Sequence, residues 1–128
     1  MERRLISSAS PWEPVVGFSR AVRAGAMVFV AGTTAIGPGG TIVGESDAYT
    51  QTAQALRNIE SALTKAGSSL ADVVRTRIFV TDIDQWPEIA RAHAEVFAAI
   101  RPATSMVEVS RLIAPEMLVE IEADAVLG

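Results

Sequence analysis

The chain has 128 residues, 49% of them apolar, with mean hydropathy +0.30, net charge −4 and an isoelectric point near 4.9. This fits one globular domain over residues 1–128, excludes a disordered chain, and makes nucleic acid a poor partner, because an acidic domain repels phosphate. The absence of cysteine removes disulfides, thiol catalysis and thiolate metal sites and suits a cytoplasmic setting, and no apolar run approaches the about 20 residues of a membrane span.

The N-terminal stretch MERRLISSASPWEPVV lacks the apolar core of a signal peptide, and Arg3 and Arg4 read as a solvated terminus. Val15 to Val22 predicts a first strand, with Val16, Phe18, Arg20 and Val22 on one face. RAGAM makes a turn into a buried second strand, MVFVAG, which completes a hairpin. GPGGTIVGES reads as a loop in which TIV adds a short strand.

From Asp47 to Ala66 the period lengthens. Tyr49, Ala53, Leu56, Ile59, Leu63 and Ala66 form one stripe of an amphipathic helix, with Ser46 or Asp47 as its N-cap and Gly67 at its end. DVVRTRIFVTDI predicts the next strand, with Val74, Thr76, Ile78 and Val80 on one face and Arg75, Arg77 and Phe79 on the other. A second helix starts at Asp84 as cap, carries Pro87 in its first turn and buries Trp86, Ile89, His93, Val96, Phe97 and Ile100. Pro102 ends it, and strands near Ala103–Ser110 and Met117–Val126 close the chain. The expected fold class is α+β: a mixed sheet with two helices on one face, leaving the other face for water or another subunit.

Few residues here carry chemistry. The single histidine, His93, lies on an apolar helix stripe, where a structural role is the simpler reading. With no second histidine and no cysteine, a metal site is not expected. No serine sits in a nucleophile elbow, and GPGG lacks the ending of a phosphate loop. The last strand is different. Glu120, Glu122 and Asp124 alternate with apolar residues and so share one sheet face. Such a row either guards a solvated edge or lines a pocket where one carboxylate orients a water. Arg75 and Arg77 on a neighbouring strand are candidates to balance it.

The segments GFSRAVRAGAMVFVAG, QTAQALRNIESALTKAGSSLADVVRTRIFVTD and PATSMVEVSRL…MLVEIEADAV together resemble the RidA/YjgF family, also called the L-PSP endoribonuclease family, over about Val15 to Val126. The resemblance implies a chorismate-mutase-like α+β fold and a homotrimer with small-molecule pockets in the clefts between subunits. It also implies a cofactor-free hydrolysis of reactive enamines and imines to keto acids and ammonia. On the motif VEIEA it implies that Glu120 is the catalytic, water-positioning acid.

The same alignment of motifs exposes departures. Thr104 stands where the family has the arginine that grips the substrate carboxylate, and threonine cannot make that charged, two-pronged contact. Phe18 replaces a tyrosine, Ala31 a serine and Met106 a cysteine or serine, and Ala90 is the nearest match to an asparagine of the second helix. Arg20 is a candidate to hold a polar or anionic ligand in compensation; the competing reading is a surface arginine paired with Glu108 or Glu122. The expected pocket is therefore Glu120 with Phe18, Arg20, Gly32, Thr33, Thr104 and Met106. The function expected is a deaminase weak on simple 2-imino acids. The alternative is a non-catalytic metabolite-binding trimer, and an endoribonuclease ranks last.

Overall fold

A computed structural model describes residues 2–128. In chain order the elements are β1 (Arg3–Ile6), α1 (Trp12–Val16), β2 (Ala21–Ala24), β3 (Met27–Thr33), α2 (Ala48–Lys65), β4 (Val73–Val80), α3 (Trp86–Phe97), β5 (Ala103–Glu108) and β6 (Val119–Val126). Six strands form one sheet in the order β1-β2-β3-β6-β4-β5. Only β4 and β5 run parallel, so the sheet is mixed, as an α3 crossover between them requires.

The helix-covered face holds the core. Val28 and Val30 of β3, Ile78 and Val80 of β4, and Val119, Ile121, Ala123 and Ala125 of β6 are buried there against Leu56, Ile59 and Leu63 of α2 and Ile89 and Phe97 of α3. Asp47 caps α2 by accepting from Thr50 N at 3.0 Å. At the other end Arg4 Nη2 donates to Lys65 O and Arg23 Nη1 to Ala66 O, at 3.0 and 2.8 Å. Both cations sit where the helix dipole is negative.

Several local expectations need correction. The predicted first strand starts late: Val15 and Val16 belong to α1, and the strand runs from Ala21. The helix wins because Glu13 gathers the preceding turn, its Oε2 accepting from Ser8 N, Ser8 Oγ and Ser10 N at 3.1, 2.6 and 3.2 Å. Burial by itself raises the Glu13 pKa, but these bonds outweigh it and the net shift is downward. Gly17, at φ 86°, ends the helix in a left-handed conformation that a β-branched residue would resist. Arg3 and Arg4 are exposed, as expected of solvated residues, but they also form an edge strand paired with β2.

On α2 the buried stripe keeps Leu56, Ile59, Leu63 and Ala66 but turns at its start, burying Gln51 and Thr52 while Tyr49 and Ala53 are half-buried. Gln51 is satisfied throughout: Nε2 donates to Gly44 O and Glu116 O, and Oε1 accepts from Leu118 N. In β4 the register slips between Val73 and Arg75, so Val73 faces the core and Val74 is exposed. Trp86 is exposed too, because a 3-10 turn over Ile83–Gln85, capped by Asp82, starts the segment earlier than Asp84. TIV contributes only an Ile36↔Ile42 bridge.

Candidate functional site

Glu120 stands on the uncovered face of the sheet, half-buried, opposite Phe79 of β4. It rests on β3 where the ladder slips between Val30 and Thr33. Gly32 makes this seat: a Cβ built there would stand 2.8 Å from Glu120 Cδ. Any side chain at position 32 would push the carboxyl away, so close approach accounts for this glycine.

Arg20 braces the same corner. Its Nη1 donates to Gly32 O at 2.6 Å and to Thr33 Oγ1 at 3.1 Å, and Thr33 Oγ1 in turn donates to Ala31 O at 2.7 Å. The guanidinium lies 5.2 Å from the centre of the Phe18 ring, a distance at which cation and π face attract. Neither Glu108 nor Glu122 pairs with it among the described residues. Asn58 secures the segment that follows β3, Nδ2 donating to Thr34 O and Ile36 O at 2.9 and 2.8 Å. Nothing in the sequence pattern marks Asn58; it sits on the polar flank of an amphipathic helix like any solvated residue.

The electrostatics separate the three acids of β6. Burial raises the Glu120 pKa, Glu122 adds to the rise, and Arg20 opposes it. Burial lowers the Arg20 pKa, against the pull of Glu13 and Glu120. Arg77 pairs instead with Glu122 and Asp124, at 3.6 and 3.3 Å. The row thus divides into one carboxyl held apart from cations at contact distance and two that share a cation. A shallow groove of about 580 Å³ runs beside it, lined by Phe18, Val22, Phe29, Ala31, Glu122 and Asp124 among others.

Thr104 and Met106 are elsewhere. In the parallel register they pair with Thr76 and Ile78, whose side chains face the helices, so they share that face. Met106 packs on the core. Thr104 Oγ1 is 2.8 Å from the oxygen of buried Thr76, which is 2.9 Å from His93 Nε2. His93 is half-buried with its pKa lowered by burial, and its ring meets that of Phe97 at 4.7 Å. Within one chain, then, Glu120, Gly32, Thr33, Arg20 and Phe18 come together, while Thr104 and Met106 lie across the sheet on its β5 edge. No cluster of potential metal ligands occurs among the described residues, and no helix there is long and apolar enough to cross a membrane.

A family model described as Endoribonuclease L-PSP matches residues 8–127. The chain belongs to this family. Among solved structures, a Mycobacterium tuberculosis member of the YjgF/YER057c/UK114 family is 56% identical with a TM-score of 0.90, over 98% of this chain and all of that one (100%). A Yersinia pestis protein of the Rid family is 32% identical with a TM-score of 0.88, over 98% of this chain and 100% of that one. A Pyrococcus horikoshii protein of the RutC family is 35% identical over 123 residues, 96% of this chain and 97% of the relative. An uncharacterised Streptomyces coelicolor protein is 39% identical over 125 residues, 98% of this chain and 92% of the relative. The L-PSP/YjgF fold expected from the sequence is thus the fold of this chain.

Proposed function

We propose that the protein is a cofactor-free hydrolase that converts a small reactive imine or enamine to a carbonyl compound and ammonia. The observation that carries this reading is the placement of Glu120: a half-buried carboxyl with a raised pKa, seated on a glycine and flanked by a braced arginine. Such a group can take a proton from water as the oxygen bonds to the carbon of a protonated imine, return it to nitrogen, and take the hydroxyl proton as the carbonyl forms, the C–N bond breaks and ammonia leaves. A pKa raised towards neutrality suits both transfers better than an ordinary carboxylate.

The site is completed by assembly in this proposal. Glu120 and Thr104 occupy opposite faces of one sheet, so a cleft containing both needs the β5 edge of a second copy. A homotrimer meets that need and also covers Leu5, Met27, Phe29 and Val126, which are exposed in one protomer. Phe18 and Gly32 wall the cleft, Thr33 and Arg20 fix its corner, and Met106 backs the β5 side.

One observation favours a second reading. Without arginine at position 104 the β5 side of the cleft lacks a cation to grip a substrate carboxylate, so the trimer would bind a metabolite without turning it over. Activity on simple 2-imino acids is expected to be weak in either case. Ribonuclease action is disfavoured by the net charge of −4. The deciding assay measures ammonia release from freshly generated 2-iminobutanoate and 2-aminoacrylate by the native chain, Glu120→Gln and Thr104→Arg. Native turnover abolished in Glu120→Gln supports the hydrolase. No native turnover, with turnover gained in Thr104→Arg, supports the binding module.

A further inference from the structure

Thr104 has one hydroxyl proton, and two neighbours compete for it. Its Oγ1 lies 3.1 Å from Pro102 O and 2.8 Å from Thr76 Oγ1. Beyond Thr76 the chain of contacts ends on His93 Nε2, at 2.9 Å. Only two arrangements keep this chain connected and also place both hydroxyl protons on an acceptor within it. In the first, His93 Nε2–H donates to Thr76, Thr76 donates to Thr104, and Thr104 donates to Pro102 O. In the second every bond between side chains reverses: Thr104 donates to Thr76, and Thr76 donates to an unprotonated His93 Nε2.

Both arrangements spend the Thr104 proton inside the protein. Both also leave a lone pair on Oγ1 unused, on a residue that is exposed while Thr76 is fully buried. Whichever tautomer His93 adopts, this position meets a ligand as a hydrogen-bond acceptor. A carboxylate there would set acceptor against acceptor, or draw the proton away from the partner that holds it, and would find no cation in return.

We propose that Thr104 selects substrates presenting an N–H or O–H donor at the β5 side of the cleft, such as a carboxamide or hydroxyl group, and rejects those presenting a carboxylate. This goes beyond the loss of an arginine, which by itself predicts weak binding of anions and nothing about what is accepted. It rests on the reading that places Thr104 and Glu120 in one cleft.

The experiment compares stable keto analogues. Binding of 2-oxobutanamide and 2-oxobutanoate to the purified full chain is measured by calorimetry or ligand-observed NMR, so that no turnover is needed. The native protein should prefer the amide by about tenfold, the effect of one well-placed hydrogen bond and one avoided repulsion. Thr104→Val, which exchanges hydroxyl for methyl at nearly constant shape, should bring the ratio within about twofold of unity. Thr104→Ser should keep the preference, and Thr104→Arg should reverse it. Equal or tighter binding of the carboxylate by the native chain, binding of neither compound, or a preference unchanged in Thr104→Val overturns the proposal. Turnover of the corresponding imines by native and Glu120→Gln protein is read separately. If the amide preference holds but there is no turnover dependent on Glu120, the hydrolase reading fails and the selectivity stands.

Discussion

The two faces of the sheet are built to different standards. Along β6, Val119, Ile121, Ala123 and Ala125 are completely enclosed by the helices, while Glu120, Glu122 and Asp124, one residue away in each case, remain half-open. The covered face is finished by the chain itself, with no buried side-chain polar atom lacking a partner among the described residues. The other face carries exposed Leu5, Met27, Phe29 and Val107 among charged groups, and its carboxyl group of interest has a pKa displaced by its surroundings. One face supplies stability; the other holds charged groups that remain half-open. A strand alternating with period two can serve both purposes because neighbouring residues never share an environment.

The sharpest break in this comparison comes from cutting each face in turn. Ile121→Ala, on the covered face, should cost about 4 kcal/mol in urea denaturation, the loss of a buried side chain plus the cavity it leaves. Glu120→Gln, its neighbour, should lower turnover at least about 100-fold, as for removal of a general acid-base group, with no such loss of stability. The opposite result for either variant would merge the two faces into one.

Glu120→Gln also carries a stability sign. The folded pKa is raised, so the native state binds more protons than the unfolded chain, and stability falls as pH climbs from the ordinary carboxylate range through the raised value. Glutamine removes that loss. The variant should melt higher than the native protein near about pH 8 and show no gain near about pH 3, where the carboxyl is protonated in both the folded and the unfolded states. An unchanged difference across that range would remove the electrostatic account of this site.

Assembly is the next test. Phe29→Asp places a charge in the middle of the uncovered face, and light scattering should show protomers in place of the proposed trimer while the helical circular dichroism persists. An intact trimer would show that this face is not where the copies meet.

A smaller effect is expected at His93. Its folded pKa lies below 6.5, so the unfolded chain takes up a proton that the native state resists. Stability should be fully present above about pH 6.5 and decline as pH falls towards the lowered folded value. His93→Gln, which can still bond Thr76, should flatten that decline without changing the melting temperature near about pH 8. The smallest effect is Arg77→Ala. Its ion pairs with Glu122 and Asp124 are substantially solvated, and about 0.5 kcal/mol is expected in the same denaturation assay.

Much of the molecule is legible in the sequence, for reasons that differ from residue to residue. α2 was visible through Leu56, Ile59 and Leu63, whose spacing leaves no other way to bury them together, and β6 through its strict alternation. Val15 and Val16 read as strand because β-branched side chains favour strands, a context-dependent preference that the bonds from nearby Ser8 and Ser10 to Glu13 outweigh. Val74 was placed on the wrong face because a bulge shifts every side chain before it and leaves no trace in an apolar pair such as Val73–Val74. Gln51 was missed because a polar side chain announces burial only through partners, and its own lie 7 and 65 residues away at Gly44 and Glu116.

The sequence by itself determined the elements that rest on periodicity, the family through its motifs, and the identity of the one acid that the motif singles out. It also determined that position 104 is a threonine and carries no cation. What only the tertiary structure decided is which of these groups meet: that Gly32 and Arg20 make the seat for Glu120, that Arg77 takes the other two acids, and that Thr104 shares its proton with Pro102 or Thr76 on the opposite side of the sheet. Periodicity is a local property of a chain and can be read along it. Proximity across a sheet depends on register and on bulges, which are set by how distant segments pack and so exist only once the chain has folded.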